Sequence, residues 1–191
     1  IGSWVPDTLG NQRAVVKVSA AADAVRVHLP WRRRDLAPEK KHIIVVDAKT
    51  DQPVANVMRV SVTRESGDLV FQPVTAPGEY HIYYLPIAGN VKSNYPKITY
   101  PEPQNTADVA WLQKNQLTTV ASAQRRWAAL PQAELVEFQA VDELNSVYPM
   151  EVIATTAETR ALVAAHGASY LLFPEDRAYS IRMTDDLPQR W

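Results

Sequence analysis

Hydrophobic and polar residues alternate along the first half of the chain at the period of a β-strand that buries one face. Val25, Val27 and Leu29 are each separated by a polar residue, and this spacing predicts a strand over 24–29. Further short strand-like segments are separated by polar turns, and we predict strands at 14–19, 43–47, 56–63, 69–72 and 78–85. The strand at 43–47 is predicted from a continuous β-branched run, which is typical of a strand covered on both faces. Six short strands at near-regular spacing predict an antiparallel β-sandwich rather than a fold of alternating strands and helices.

The pattern changes to a helical period after residue 105. Residues 106–130 contain neither glycine nor proline, and their hydrophobic residues recur at roughly helical spacing until Pro131. We therefore predict one long helix here, preceded by a capping segment at 105–108. The residues that this helix is expected to bury against the sandwich are Leu112, Leu117, Val120 and Trp127.

Beyond Pro131 the sequence predicts more strands and one shorter helix. The segment 132–147 fits both periods, and we favour a strand over 134–141. Thr155 and Glu158 have the spacing of a capping box, which opens a helix that ends before Gly167. The remaining strands are expected at 150–155, 170–173 and 179–183. The predicted class is mainly β, an antiparallel β-sandwich with one long inserted helix and one shorter helix, and α+β overall.

These elements predict a single domain made of three successive parts. Residues 1–105 supply the sandwich strands, residues 106–131 the inserted helix, and residues 132–191 the completing strands and the short helix. The chain begins at Ile1 rather than at a methionine and ends at Trp191 without a polar tail. We expect it to be a piece of a longer protein.

Composition narrows the classes of function. The chain has 191 residues, 46% of them hydrophobic and 21% charged, with a formal net charge of -1, which is an ordinary globular composition. Near neutrality argues against a dedicated nucleic-acid-binding protein. The lack of cysteine excludes disulfides, thiolate catalysis and cysteine-ligated metals. The sequence has no apolar run long enough to span a bilayer.

The most unusual chemistry lies in residues 31–42, which we call the basic loop. Its five bases are Arg32, Arg33, Arg34, Lys40 and Lys41. Pro30 and Pro38 restrict its backbone, and Asp35 and Glu39 are close enough to pair with its arginines. We therefore predict an ordered loop whose ion pairs are partly exposed and individually weak.

The same loop contains the candidate ligand-binding residues Trp31, Arg32, Arg33 and Arg34. An exposed tryptophan next to arginines is typical of a sugar-binding surface, because the ring stacks on a pyranose while guanidinium groups donate to hydroxyls. In the alternative interpretation, Trp31 packs beneath the arginines and has a structural role. The sequence leaves both interpretations open.

The sequence shows no catalytic, metal or cofactor motif. Adjacent acids occur at 142–143 and 185–186, but we interpret them as solvated turn residues, since catalytic carboxyls must converge across a cleft. Local metal-ligand spacing is absent among the four histidines, which are His28, His42, His81 and His166. The glycines are scattered singly, so no phosphate-binding loop is formed. We predict no catalytic residue, no metal site and no cofactor in this chain.

Four segments of the sequence together resemble a known protein family. They are LGNQRAVV at 9–16, LPWRRRD at 29–35, YPMEVIA at 148–154 and IRMTDDLP at 181–188. They resemble the N-terminal region of large secreted Bacteroidetes proteins related to glycoside hydrolase family 123. The resemblance covers most of the chain, but none of its phrases is a catalytic motif.

This resemblance implies a β-sandwich region that precedes a (β/α)₈ barrel acting on N-acetylgalactosamine-containing glycans. It implies that the adjacent Asp-Glu catalytic pair of the family belongs to that barrel, so Asp142 and Glu143 are not carried over as catalytic residues.

Two functions remain open at this point. In the first, the chain is a non-catalytic accessory module in carbohydrate metabolism. It supports a downstream catalytic domain of the same protein and aids glycan binding, and the parent protein is a glycoside hydrolase. We then expect a secreted or periplasmic location, including association with the outer membrane. In the second, the chain is a stand-alone protein-interaction or scaffold domain with no carbohydrate role.

Overall fold

The computed structural model describes most of the chain up to residue 141 and short pieces beyond it. The described residues are 3–33, 35–90, 97–141, 151–153, 155, 157–158, 160–161, 164, 170–172 and 180–183. Their strands are β1 (Gln12–Val18), β2 (Val25–Leu29), β3 (Ile44–Asp47), β4 (Gln52–Pro53), β5 (Val57–Val62), β6 (Gly67–Phe71), β7 (Gly78–Tyr83), β8 (Ala88–Asn90), β9 (Lys97–Thr99), β10 (Glu134–Ala140), β11 (Glu151–Ile153), β12 (Tyr170–Leu172) and β13 (Ser180–Met183).

Helical structure is limited to short pieces among the described residues. The α-helices are α1 (Pro6–Leu9), α2 (Val109–Lys114) and α3 (Val120–Arg126), and the 3₁₀ turns are Pro38–Lys40 and Trp127–Ala129. Residues 157–158, 160–161 and 164 are also helical. The predicted mainly-β class is therefore confirmed.

Two antiparallel sheets form the sandwich. The larger has the strand order β10-β1-β7-β3-β4, and the smaller has the order β2-β6-β5. Separate small sheets are formed by β11-β13-β12 and by β8-β9. The strands predicted between residues 14 and 85 are all present, so the predicted antiparallel arrangement is confirmed.

Alternating residues of the two main sheets meet in one hydrophobic core. On β7, Tyr80 and Ile82 have no exposed surface, and they face Val27 of β2 and Phe71 of β6 within the same cluster. Tyr80 also donates its hydroxyl proton to the Thr75 carbonyl at 2.6 Å, which satisfies its polar end inside the core. The period-two pattern of the sequence therefore sets which face of each strand is buried.

A second hydrophobic cluster lies on the other face of the smaller sheet. Met58 and Val60 of β5 contact residues of the α2–α3 region, including Trp111 and Leu117. Trp111 donates from its indole nitrogen to the Asp23 carbonyl at 2.8 Å, which fixes α2 against the sheet. The molecule thus has three layers, namely a sheet, a second sheet and a pair of short helices.

The prediction of one long helix over 106–130 is wrong, because two short helices occupy this segment. Asn115 ends α2, and Gln116 has a φ of 60°, in the left-handed region that interrupts a right-handed helix. Thr119 then starts α3 with a capping box, in which its hydroxyl accepts from the backbone N–H of Ser122 at 3.1 Å. Side-chain caps therefore end and restart the helix without glycine or proline.

The burial expected for this segment is only partly correct. Leu112 and Leu117 are buried as predicted, and Trp127 is partly buried against the same cluster. Val120 is 46% exposed, so its predicted burial is wrong. Val120 is the first residue of α3, and the break at Gln116 changes the face on which it lies.

Two predictions from the second half are confirmed. The ambiguous segment 134–141 forms strand β10, which pairs antiparallel with β1 and completes the larger sheet. The capping box is present, since the Thr155 N–H donates to the Glu158 carboxylate at 2.9 Å and the Glu158 N–H donates to the Thr155 hydroxyl at 3.2 Å. The acid pairs at 142–143 and 185–186 lie outside the described residues. The three-part domain division stays a prediction.

We predict that Leu117→Asp destabilises the fold strongly, because it places a charge where Leu117 has no exposed surface. The expected loss is several kcal/mol, on the order of the largest single-residue effects. Thermal or denaturant unfolding followed by circular dichroism measures it. Val120→Asp is the matched control, because this side chain is exposed in the same segment. A Leu117→Asp melting temperature within about 1 °C of the parent's would contradict the placement.

Candidate functional site

The basic loop is folded onto the sandwich core, and Trp31 is its anchor. Trp31 is 2% exposed and donates from its indole nitrogen to the Thr63 carbonyl at 2.8 Å. Its ring centroid lies 5.1 Å from that of Tyr84. A Cβ added at Gly67 would lie only 2.2 Å from the Trp31 ring, so the start of β6 needs glycine for the ring to fit. Trp31 is therefore a core residue.

Arg33 follows Trp31 into the interior and is neutralised there by Asp35. The guanidinium donates through Nε and Nη2 to the two Asp35 carboxylate oxygens, each at 2.9 Å. Lys41 donates to the same carboxylate at 2.7 Å. The Arg33 guanidinium also lies 5.0 Å from the Trp31 ring centroid. The loop is ordered by a charge-assisted network that joins its two ends.

This network is more buried than the sequence indicated. The Arg33 side chain is 1% exposed, and those of Asp35 and Lys41 are 17% and 15% exposed. The expectation of a partly exposed pair is therefore wrong for Arg33, whereas Asp35 and Lys41 are partly exposed and the weakness of their pairs stays a prediction. The expected pairing of Asp35 is confirmed. Glu39 makes a different contact, because its backbone carbonyl accepts from Arg59.

The electrostatics of Asp35 are decided by two opposing effects. Burial by itself raises the pKa of its carboxyl, whereas the hydrogen bonds and charges of Arg33 and Lys41 lower it. The second effect prevails, so the pKa of Asp35 lies below its ordinary value and the group is ionised near neutral pH. Nearby, burial raises the pKa of Tyr84 to about 12, against a smaller opposing effect of Arg33.

The four predicted ligand-binding residues have different environments. Trp31 and Arg33 are enclosed together in the interior, where neither offers a surface for sugar stacking. Arg32 points outward with 52% of its side chain exposed, and its guanidinium contacts Glu158. Arg34 lies outside the described residues. Ligand contact by Arg32 stays a prediction.

A concave groove lies beside the basic loop, at the open side of the sandwich. It occupies about 390 Å³ between the edge of the larger sheet, formed by β3 and β4, and the edge strand β5 of the smaller sheet. We call it the Arg59 groove. Its lining includes His42, Pro53, Val57, Arg59, Gln104 and Thr106.

The segment 101–106 forms one wall of this groove. The His42 N–H donates to the Pro101 carbonyl at 2.8 Å, and the Gln104 N–H donates to His42 Nδ1 at 3.3 Å. The Thr106 hydroxyl donates to the Ala55 carbonyl at 2.6 Å. These bonds hold a segment without regular structure against two strand edges.

Arg59 is the charged group of the groove. It is half-buried, and its Nη2 donates to the Glu39 carbonyl. Its Nε is buried and has no hydrogen-bond partner among the described residues, and no described carboxylate forms an ion pair with this guanidinium. Burial and the positive charge of Arg33 lower the pKa of Arg59, against a smaller opposing effect of the Glu39 carboxylate, and the arginine stays protonated at neutral pH.

His42 is a neutral polar group in the same groove. Burial, and after it the positive charge of Arg59, lower the pKa of its imidazole, which is therefore uncharged at neutral pH. Because Nδ1 accepts from Gln104, the proton of the neutral ring is on Nε2. His42 can then donate a hydrogen bond without adding a second positive charge.

Sequence reasoning missed His42, Arg59 and Gln104 as a group. The strand pattern places Arg59 opposite Met58 and Val60, on a side that reads as solvent-exposed. In the structure β5 is covered on both faces, and its pairing with β6 shifts register between Arg59 and Ser61. No local signal shows that residues 101–106 return to this edge.

Neither a metal site nor a membrane-spanning helix is found in the part of the chain that the structure describes. No group of three or more His, Asp or Glu side chains is arranged there to hold a metal ion. No described helix is long and apolar enough to cross a bilayer.

Comparison with known protein families gives one match. A model of the family described as the N-terminal domain of glycoside hydrolase 123 matches residues 2–141. Since the match covers more than half of the chain, the protein belongs to this family, and the resemblance seen in the sequence is confirmed. It follows that the chain is related to a module of a glycoside hydrolase. No curated protein matches the chain, and no solved structure matches it. The Bacteroidetes origin stays a prediction.

We predict that Asp35→Ala destabilises the fold by about 3–5 kcal/mol, because it leaves the buried Arg33 guanidinium without its counterion. Denaturant unfolding at pH 7 measures the change. Asp68→Ala is the control, since the His28–Asp68 pair is more exposed and should cost at most about 1 kcal/mol.

The parent protein and Asp35→Ala should also differ in how their stability responds to acid. Because the folded-state pKa of Asp35 is lowered, its contribution is complete above the unfolded-state pKa and is lost as the pH falls through the folded-state pKa. The stability difference between the parent and Asp35→Ala should therefore shrink below about pH 4. A difference that stays constant from pH 7 to strongly acidic pH would contradict this assignment.

Proposed function

We propose that this chain is a non-catalytic module of a glycoside hydrolase that positions the catalytic domain following it in the same protein. Membership of a family of glycoside hydrolase N-terminal domains supports the first part. The catalytic pair implied by the resemblance belongs to a barrel domain, so the module needs no acid and base of its own. We propose in addition that the parent protein is secreted or periplasmic.

The observation that carries this proposal is the contact between Arg32 and Glu158. Arg32 donates from Nε to one Glu158 oxygen at 3.2 Å and from Nη2 to the other, in a bidentate arrangement. Arg32 lies within the family match over 2–141, and Glu158 lies beyond it. The pair therefore links the module to the chain that follows.

Glu158 is itself held in place by the capping box with Thr155. The Thr155 backbone hydrogen bond, and after it the hydrogen bond of Arg32, lower the pKa of the Glu158 carboxyl, so the group is ionised near neutral pH. The link consequently joins an ordered loop to a fixed helix start. In this proposal the outward arginine of the basic loop joins the part matched by the family to the segment that follows it.

The module also aids glycan binding in this proposal. Trp31 has no open ring face, so a glycan would meet exposed or groove-lining polar groups instead of a stacked tryptophan. Arg32 and the Arg59 groove both lie on or beside the basic loop. This side of the sandwich is the candidate surface.

We predict that the isolated chain does not hydrolyse aryl N-acetylhexosaminides. A chromogenic assay at high protein concentration measures turnover directly, with a known hexosaminidase as positive control. Turnover that copurifies with the folded chain would overturn the non-catalytic assignment.

A charge-reversal cycle tests the link. We predict that Arg32→Glu and Glu158→Arg each reduce stability slightly and that the double variant recovers part of the loss. The coupling energy should be about 0.2–1 kcal/mol, since both side chains are about half exposed. Arg125→Glu, an exposed arginine on α3, is the control for the change in net charge. Strictly additive effects in the cycle would show that the two side chains do not interact.

A further inference from the structure

We infer that the Arg59 groove binds a sugar that carries a carboxylate, a hexuronic acid residue of a glycan, with Arg59 as the partner of the carboxylate. This inference rests on the glycan-binding part of the proposed function and specifies the chemical class of the glycan.

The charge of the groove selects an anion. Arg33 and Lys41 both pair with Asp35, whereas Arg59 contacts the Glu39 carbonyl and pairs with no described carboxylate. Arg59 has lost part of its hydration, and the charge of the Glu39 carboxylate compensates it only in part, without an ion pair. A ligand carboxylate would supply the missing partner.

The donors of Arg59 are sufficient for such a ligand. A guanidinium has five N–H donors, and the Glu39 carbonyl accepts from Nη2. The Nε atom is enclosed by protein, so the remaining Nη hydrogens are the ones that a ligand can meet. Arginine binds a carboxylate through such planar donors more specifically than lysine does.

The walls of the groove favour a sugar over a simple anion. Val57 and Pro53 give it an apolar side that suits the C–H face of a pyranose ring. His42, Gln104 and Thr106 provide polar groups along the wall that can meet ring hydroxyls. The volume of about 390 Å³ falls within the usual range for small-molecule sites, roughly 300–1,000 Å³.

A second cleft serves as an internal comparison. It has a volume of about 560 Å³ and is lined by Lys17, Glu79 and Glu134 among others. Two carboxylates against one ammonium group would repel an acidic sugar. The anion preference is therefore specific to the side of the sandwich that holds Arg59.

The test is a titration of the whole chain with three probes, namely methyl glucuronide, methyl glucoside and acetate. Isothermal titration calorimetry gives the affinities, and backbone amide shifts in 42–45, 57–59 and 104–106 locate the site. We expect the glucuronide to bind at least about tenfold more tightly than either other probe, a difference of about 1.4 kcal/mol.

Two variants connect this binding to Arg59. Arg59→Gln should weaken glucuronide binding by about tenfold or more, because it removes a charge-assisted contact. Arg59→Lys should weaken it less, since the charge remains but the planar donor set is lost. Arg125→Gln, an exposed arginine on α3, should have no effect. Melting curves verify that each variant is folded, and Arg59→Lys carries the test if Arg59→Gln does not fold.

The possible outcomes distinguish failure of the acidic-sugar site from failure of the proposed glycan binding. If methyl glucoside binds as tightly as the glucuronide, or if Arg59→Lys and Arg59→Gln bind like the parent, the acidic-sugar site is overturned while glycan binding stands. If acetate binds as well as the glucuronide, the groove is a carboxylate site without sugar specificity, and the inference also fails. If neither sugar binds at millimolar concentration, the glycan-binding part of the proposed function fails with it.

Discussion

The ionised carboxylate of Asp35 is the group on which the arrangement of the basic loop depends. It accepts from Arg33 and Lys41, and so allows a strongly basic segment to fold against the sandwich core. Without it, the Arg33 guanidinium would be enclosed as an uncompensated charge. Because the loop is fixed, the Glu39 carbonyl reaches Arg59 and the Arg32 side chain points toward Glu158. Both candidate functional surfaces therefore depend on the partly buried carboxylate of Asp35.

Burial gives the arginines of this region different roles. Arg33 is fully enclosed and paired with Asp35, although its Nη1 has no hydrogen-bond partner among the described residues, so its contribution is structural. Arg32 is about half exposed, and its pair with Glu158 can contribute to orientation more than to stability. Arg59 is half-buried without a described carboxylate, which leaves its charge available to a ligand. Arginine thus has three roles here, namely a support in the core, a link to the following segment and a candidate binding group. Its counterion and its exposure decide which role it has.

Sequence patterns correctly predicted the elements that are determined by residues close together in the chain. The alternation on β7 placed Tyr80 and Ile82 in the core, and the Thr155–Glu158 capping box was readable from four residues. The break in the predicted long helix was missed because Asn115, Gln116 and Thr119 replace glycine and proline as its cause. The buried position of Trp31 follows from Gly67 and Thr63, far along the chain, and the Arg59 groove requires the distant segment 101–106. Contacts of this kind leave no periodicity in the sequence.

Desolvation and charge pairing distinguish the enclosed Arg33 from the half-buried Arg59. A buried ion pair such as Arg33–Asp35 often contributes little net stability, because desolvation offsets attraction, yet breaking it is costly. Its consequence is a unique loop position rather than a more stable fold. Arg59 has the desolvation cost, and the charge of the Glu39 carboxylate offsets part of it without forming an ion pair. An apolar side chain at position 59 would fill the same space at a lower desolvation cost. The presence of Arg59 there therefore favours recognition of a negative charge over packing.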